Sequence, residues 1–172
     1  TYQDPISKAY YTYSNMRPVL KINITAFNDP VTIYNVHLKA QSPYPDCTDC
    51  LNRRRAQAFA LENFIKETFV PENDKIIIAG DANTALPTDF EPGQTLDLLT
   101  LKSDNPEITN NDFISVNYEF KNESTHTSFA NLMDHIILSP ALMTKYIENS
   151  IDVLTPEGKP SDHKSVILKL EF

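Results

Sequence analysis

Apolar positions along this chain follow two periods. Residues 31–38 (VTIYNVHL) alternate, with Val31, Ile33, Asn35 and His37 on one face and Thr32, Tyr34, Val36 and Leu38 on the other, which predicts a strand. Val19, Ile22 and Ile24 predict a preceding strand through Ala26. Asn28-Asp29-Pro30 reads as the turn of a hairpin between them. Over residues 51–69 the spacing becomes three or four, with Ala58, Leu61, Ile65 and Phe69 in one stripe: an amphipathic helix, stopped by Pro71-Glu72-Asn73-Asp74. Residues 75–79 hold three consecutive isoleucines and read as a short strand buried on both faces. That run stops at Gly80-Asp81-Ala82-Asn83, expected at the end of a strand over residues 75–79. There Gly80 permits an unusual backbone angle or a close approach, and Asp81 and Asn83 share one side if the chain stays extended.

Downstream the pattern predicts a short helix over 95–101 and weak strands over 113–118 and 127–129. A strand over 132–138 is interrupted by Asp134 and His135, and a helical turn over 141–147, a strand over 151–154 and a closing strand after Ser161-Asp162-His163 follow. A hairpin, a helix and then a buried strand imply an α+β sheet with helices packed on it. Residues 1–16 are Tyr-rich and read as an irregular segment ahead of one domain over 17–172.

Length allows one domain or part of a larger one, and 41% hydrophobic with 22% charged residues is ordinary globular composition. The net charge of -8 excludes a general polyanion binder working by charge alone and leaves room for a local basic groove or a bound cation. No apolar run approaches the ~20 residues of a membrane span, and no stretch reads as a signal peptide. The start at Thr1 rather than Met reads as set by processing or by design.

Cys47 and Cys50 form a Cys-x-x-Cys, which suits a redox pair, half a zinc site or a small loop disulfide. Zinc would want a second pair of ligands at suitable spacing. A redox pair wants a lowered thiol pKa, which the neighbouring aspartates oppose. The loop disulfide is the favoured reading, and with it an extracellular or periplasmic location.

Polar residues break the apolar pattern at four places: His37, Asp81 with Asn83, Asp134, and Asp162 with His163. Singly, each has a bland reading. Asp and Asn are ordinary turn formers, and His37 serves equally as a satisfied core histidine. Asp134 is harder to dismiss, because an unpaired buried carboxylate costs several kcal/mol and demands a partner such as a histidine. His135 faces the other way and reads as structural. Together these residues suit phosphate-ester hydrolysis, which needs an activated water, neutralised phosphoryl oxygens and relief of charge on the leaving oxygen. An imidazole titrating near ~6.5 exchanges protons near neutral pH, and carboxylate and amide oxygens suit Mg2+ or Mn2+.

The order His37-Leu38, Gly80-Asp81-Ala82-Asn83, Met133-Asp134-His135-Ile136 and Ser161-Asp162-His163 resembles the endonuclease/exonuclease/phosphatase superfamily, from about Arg17 to the C-terminus. Arg54 and Gln57 in the helix after His37 fit its pattern too. The resemblance implies that Asp81 and Asn83 place the attacking water and the phosphate, and that His163 contacts the scissile phosphate. It further implies that Asp134 orients His163, that Asp162 binds metal, and that His37 is the acid on the leaving group. Lys39 and the cluster Arg53 to Arg55, Arg54 in particular, are weaker candidates for holding phosphate; solvated surface charge is their commoner reading.

The implied fold is a four-layer α/β/β/α sandwich, deoxyribonuclease-I-like, of which this chain holds the C-terminal portion. The strands that carry a metal-binding Asn and a metal-binding Glu in the family's first half have no counterpart here. A half sandwich exposes the inner face of its sheet, so the chain is expected to pair with an N-terminal half or to self-associate. The implied activity is a metal-dependent phosphodiesterase. A nuclease comes first, because the Thr127-Ser128-Phe129 and Asp134-to-Ser139 stretches look like those of secreted and bacterial nucleases. A phosphomonoesterase or a sphingomyelinase-type lipid phosphodiesterase is the alternative, and a non-catalytic binding module that keeps the fold is the rival from another class.

Overall fold

The structure is a computed structural model that describes residues 1–12, 17–26, 28–40, 49–84, 91–102, 112–119, 124–127, 131–155, 158 and 161–172. Its elements in chain order are β1 (Tyr2–Gln3), β2 (Tyr10–Tyr11), β3 (Leu20–Ala26), β4 (Asp29–His37), α1 (Cys50–Thr68), β5 (Ile76–Asp81), α2 (Thr95–Leu99), β6 (Ile114–Ser115), β7 (Asp134–Leu138), α3 (Pro140–Met143), β8 (Asp152–Leu154) and β9 (Ser165–Ile167). A 3-10 turn, Val116–Glu119, stands where a strand to residue 118 was expected.

The central sheet has the order β3-β4-β5-β7-β6. β3 and β4 form the expected hairpin, with Asn28 at φ 69° in its turn. β4 and β5 are parallel and α1 makes the crossover between them; β7 lies antiparallel to both β5 and β6. Of the strand expected over 127–129, residues 128 and 129 lie outside the described residues, as does Cys47.

The alternation read in residues 31–38 sorts the sheet's two faces. Tyr34, Val36 and Leu38 of β4 and its following residue join Ile76, Ile78 and Ile137 beneath Ala58, Leu61 and Ile65 of α1 and the leucines of α2. The opposite face carries Val31 and Leu138, packed against Leu142 and Ile151 and, in part, against Val166, Leu168, Leu170 and Phe172. β8 and β9 pair as a separate two-stranded sheet on this second face.

Two expectations need correction here. β5 is fully buried on one face only: Ile76 and Ile78 are closed off, whereas Ile77 and Ala79 remain half-open on the second face. On that same face, at the β3 edge, Leu20, Ile22 and Ile24 are 60%, 39% and 43% exposed. Second, β5 does not stop before Gly80 but runs through Asp81. The polar residue is tolerated in the sheet because it closes the strand at an open end, in register with two other polar residues.

Residues 1–16 are not irregular throughout. β1 pairs with β2, and the hairpin is tied to α1 by Arg55, whose Nε and Nη2 donate to the Asp4 carboxylate at 2.7 and 3.0 Å. Burial pushes the Asp4 carboxyl up, but the hydrogen bonds from Arg55 and Ser7 outweigh it and hold the group below its ordinary value. A carboxyl with a depressed folded pKa stabilises the protein above its unfolded value of ~3.9, and that stabilisation is lost as pH falls through the folded value. Arg55→Met leaves the Asp4 carboxylate buried without its cation, with Ser7 still donating to it, and is expected to cost about 3–5 kcal/mol at pH 7. In urea denaturation the deficit should shrink as pH falls through the ordinary carboxylate range and vanish only once pH is below the depressed folded value of the wild type; an unchanged midpoint at pH 7 contradicts the pairing.

Candidate active site

Sheet register brings three of the polar residues into one row. His37 is the register partner of Asp81 across the parallel β4–β5 pair, and Asp81 is the partner of Asp134 across the antiparallel β5–β7 pair. Partners in register point to the same face, so all three rise from the end of the sheet on its second face. His163, from the loop before β9, is held over that row. Its Nδ1 lies 2.8 Å from Asp134 Oδ2 and its Nε2 3.9 Å from Asp81 Oδ2. His37 Nε2 is 3.4 Å from the same Asp81 oxygen.

Asn83 reaches Asp81 by a route other than an extended chain. Its φ is +50°, so the backbone turns: Asn83 N donates to Asp81 Oδ1 and Asn83 Nδ2 to Asp81 Oδ2, each at 2.7 Å. This is the Asx turn that Asp makes with the residue two ahead. A further bond from Asn83 Nδ2 to the Leu38 carbonyl, 3.0 Å, ties the turn to the end of β4.

The row's electrostatics separate its groups. Burial lowers His37, Arg17 adds to that, and the opposing pull of Asp81 and Asp134 does not reverse it, so this imidazole is held neutral below its ordinary value. Burial would lower His163 as well, but the hydrogen bond to Asp134 and the charges of Asp134, Asp81 and Asp162 push it above its ordinary value. Burial, with a contribution from Asp134, raises Asp81 against the lowering hydrogen bond from Asn83. The result is a neutral imidazole, a second imidazole that favours its cation and a carboxylate of increased basicity. Titratable neighbours driven apart in this way can divide acid and base roles between them.

Several supports had no signal in the sequence strong enough to find them. Asn117 Nδ2 donates to the Asp134 carbonyl and its Oδ1 accepts from Ile136 N, clamping the start of β7. Thr125 Oγ1 accepts from both Met133 N and Asp134 N. His126 forms a β-bridge with His163, and its Nε2 is 3.5 Å from Asp162 Oδ2. A weak strand pattern around residues 127–129 was the sole trace of this segment.

His135, on the opposite face, is buried with Nε2 3.1 Å from the Thr84 carbonyl, so it is structural. Arg54 requires correction. It is neither a solvated charge nor within reach of a substrate phosphate: it is 0% exposed, with Nε 3.4 Å from Thr95 Oγ1 and Nη1 3.3 Å from the Lys39 carbonyl. α1 packs along a wide arc, against the sheet, the N-terminal hairpin and α2, and so encloses Arg54 and Arg55 as well. Gln57 belongs to the same arrangement, accepting from Lys39 N and donating to the Arg17 carbonyl. Together Arg54 and Gln57 fix the backbone that follows His37, and the Lys39 side chain is left half-exposed.

For a divalent cation the donors divide in two. Both Asp81 oxygens are engaged by Asn83 and Asp134 Oδ2 by His163, whereas Asp162, next in sequence to His163, is 72% exposed. Mg2+ is commonly held by one or two carboxylates with substrate phosphate and water completing its shell. Asp162 fits that requirement.

No family model and no curated protein matches the chain. Solved structures do match. A β toxin from Staphylococcus aureus aligns at a TM-score of 0.55 with 16% identity, covering 86% of this chain and 55% of its own. Sphingomyelinase C from Streptomyces griseocarneus gives 0.55 and 12%, over 89% and 57%. A 3′ phosphatase from Neisseria bound to a product DNA hairpin gives 0.55 and 16%, over 88% and 65%. At these identities the likeness establishes the fold alone, which is part of a deoxyribonuclease-I-like α+β fold. The chain spans between 55% and 65% of the length of these three structures.

Proposed function

We propose that this chain carries the catalytic face of a metal-dependent phosphoesterase, with a phosphodiester as substrate and nucleic acid as the first choice. The observation that carries the reading is the row His37, Asp81, Asp134 roofed by His163, with Asp134 Oδ2 at 2.8 Å from the His163 ring. His163, positioned by Asp134, presents a cationic donor to the phosphoryl oxygens, a charge-assisted contact that strengthens as charge develops. Asp81, more basic than an ordinary carboxylate, takes the proton of an attacking water that Asn83 helps to hold. A Mg2+ or Mn2+ ion at Asp162 would supply neutralisation of phosphate charge when bound.

The resemblance gives His37 the proton for the leaving group, and here its pKa direction opposes that role. Burial and Arg17 keep it neutral, so it suits proton acceptance unless a carboxylate from elsewhere in the protein restores its basicity.

Two further points belong to the reading. The open apolar face of β3, Leu20, Ile22 and Ile24, supports a covering partner: an N-terminal half or a second copy. The disulfide at Cys50 supports an oxidising compartment, extracellular or periplasmic. Among the described residues no helix is long and apolar enough to cross a membrane.

The test is turnover in Mg2+ on plasmid DNA, single-stranded DNA and RNA, with p-nitrophenyl phosphate and sphingomyelin vesicles alongside. DNA or RNA cleavage abolished by EDTA is the expected result. Turnover of sphingomyelin alone transfers the assignment to a lipid phosphodiesterase, as the name of the Streptomyces structure suggests, and turnover of the monoester alone transfers it to a phosphatase. No turnover on any substrate, with the chain also bound to the segment that covers β3, leaves a binding module. A monodisperse, stable monomer by sedimentation contradicts the covering partner.

A further inference from the structure

We propose that His126, Asp162 and His163 form a second kind of metal site, one that selects a borderline transition-metal ion such as Zn2+ over Mg2+ and, when filled, holds the catalytic face inactive. The binding claim stands on geometry alone; its effect on turnover rests on the phosphoesterase reading.

One ring nitrogen from each histidine and one Asp162 oxygen lie within 4.8 Å of one another, the one such group of three or more among the described residues. Donors around a tetrahedral ion at ~2.0–2.2 Å stand about 3.4 Å apart. The edge from His126 Nε2 to Asp162 Oδ2 is already 3.5 Å. The other two edges are no longer than 4.8 Å, and Asp162, at 72% exposed, is the ligand with the most room to adjust.

Both histidines are preset. His126 is 8% exposed, and its backbone is fixed by the bridge to His163 and by the Ser124 hydroxyl, which donates to His126 O and accepts from His126 N. Backbone bonds from Thr127 N to Asp162 O and from Lys164 N to Thr125 O, both 2.8 Å, fasten the two segments together on either side. The rings meet edge to face with centroids 5.0 Å apart. His163 bonds Asp134 through Nδ1, which leaves Nε2, 3.9 Å from Asp81 Oδ2, as the ring nitrogen to offer an ion. A carboxylate on the far nitrogen is the arrangement that orients metal-ligating histidines and raises their basicity.

The donor set decides which ion is taken. Two imidazoles and one carboxylate favour Zn2+, Co2+ or Cu2+ over Mg2+, which prefers an all-oxygen shell. Binding consumes the His163 lone pair and the Asp162 carboxylate. The same two residues would otherwise meet the phosphate and the hard cation, so occupation by Zn2+ and turnover exclude each other.

The experiment uses the whole chain, apo and in excess Mg2+, titrated with Co2+ and followed by its d–d absorption, then with Zn2+ by calorimetry. The expected result is one Co2+ per chain with the strong absorption of a tetrahedral site, displaced by Zn2+ and only weakened by excess Mg2+, which competes for Asp162. His126→Gln should weaken Zn2+ at least tenfold with an unchanged circular dichroism spectrum. Should that variant unfold, the exposed Asp162→Asn serves in its place with the same expectation. Zn2+ binding of equal strength in both variants and the wild type overturns the proposal, as does the absence of binding. On whichever substrate is turned over, Zn2+ should inhibit the wild type at a lower concentration than His126→Gln. Metal binding without turnover on any substrate leaves this site standing and removes the phosphoesterase reading instead.

Discussion

His163→Ala and Asp81→Ala are each expected to reduce kcat by about 10³-fold or more, with a much smaller change in KM. General acid–base groups contribute ~10²–10⁴-fold, and a donor aimed at developing charge contributes ~10²–10³-fold. These two residues occupy those roles in the proposed site. Neither belongs to an apolar cluster, since both line the open end of the sheet. The variants should therefore melt near the wild type, and the loss should appear in single-turnover rates. Asp134→Asn separates orientation from chemistry. The amide keeps the shape and the contact to His163 Nδ1 at 2.8 Å but drops the charge that favours the imidazolium, so kcat should fall while His163 stays in place. The double variant His163→Ala, Asp134→Asn should be scarcely slower than His163→Ala alone, because residues that act as a unit are not additive. If His163→Ala and Asp81→Ala both retain turnover, the row is not the catalytic site.

What was readable in the sequence follows from the range of the interactions involved. The β4 alternation predicted which face each residue takes, and the sheet observes it: Tyr34 and Val36 lie under α1 while Val31 and Ile33 lie on the other side. Period-two alternation is a local property, so it survives into the fold. The α1 stripe Ala58, Leu61 and Ile65 was equally local. Which strands would be neighbours was not local. The row His37, Asp81, Asp134 exists because β5 lies between β4 and β7, and nothing within any of these strands states that order; the motif order alone suggested it. Arg54 and Arg55 were misread for the same reason. Their burial comes from the N-terminal hairpin and α2 closing over α1, contacts made by residues 51 and 41 positions away. His126 escaped notice because its importance is entirely tertiary: a single bridge to His163 brings it into the site.

Gly80→Ala is the substitution expected to damage the fold most. Gly80 has φ +126°, and a Cβ built there would stand 2.2 Å from the Val36 carbonyl oxygen and 3.2 Å from the Val36 C and N atoms. The obstacle is backbone in the neighbouring strand, its register partner in the parallel β4–β5 pair, so no rotamer change can relieve it. The left-handed backbone adds roughly 1–2 kcal/mol for an L-residue. Accommodating the methyl means pushing β5 away from β4 one residue before the His37 and Asp81 partners, which opens the sheet at the candidate site. A loss of about 4 kcal/mol or more would lower Tm by roughly 8–16 °C for a chain of this size. Gly93→Ala is the control: its φ of +76° carries similar backbone strain, but the added Cβ meets the flexible Ile6 side chain at 3.3 Å, so the cost should stay near ~1 kcal/mol. Thermal melts of the two variants side by side isolate the strand-to-strand contact from the strain that both share. Equal melting temperatures would mean that β5 does not approach β4 this closely, and the distances within the row built on that approach would fall with it.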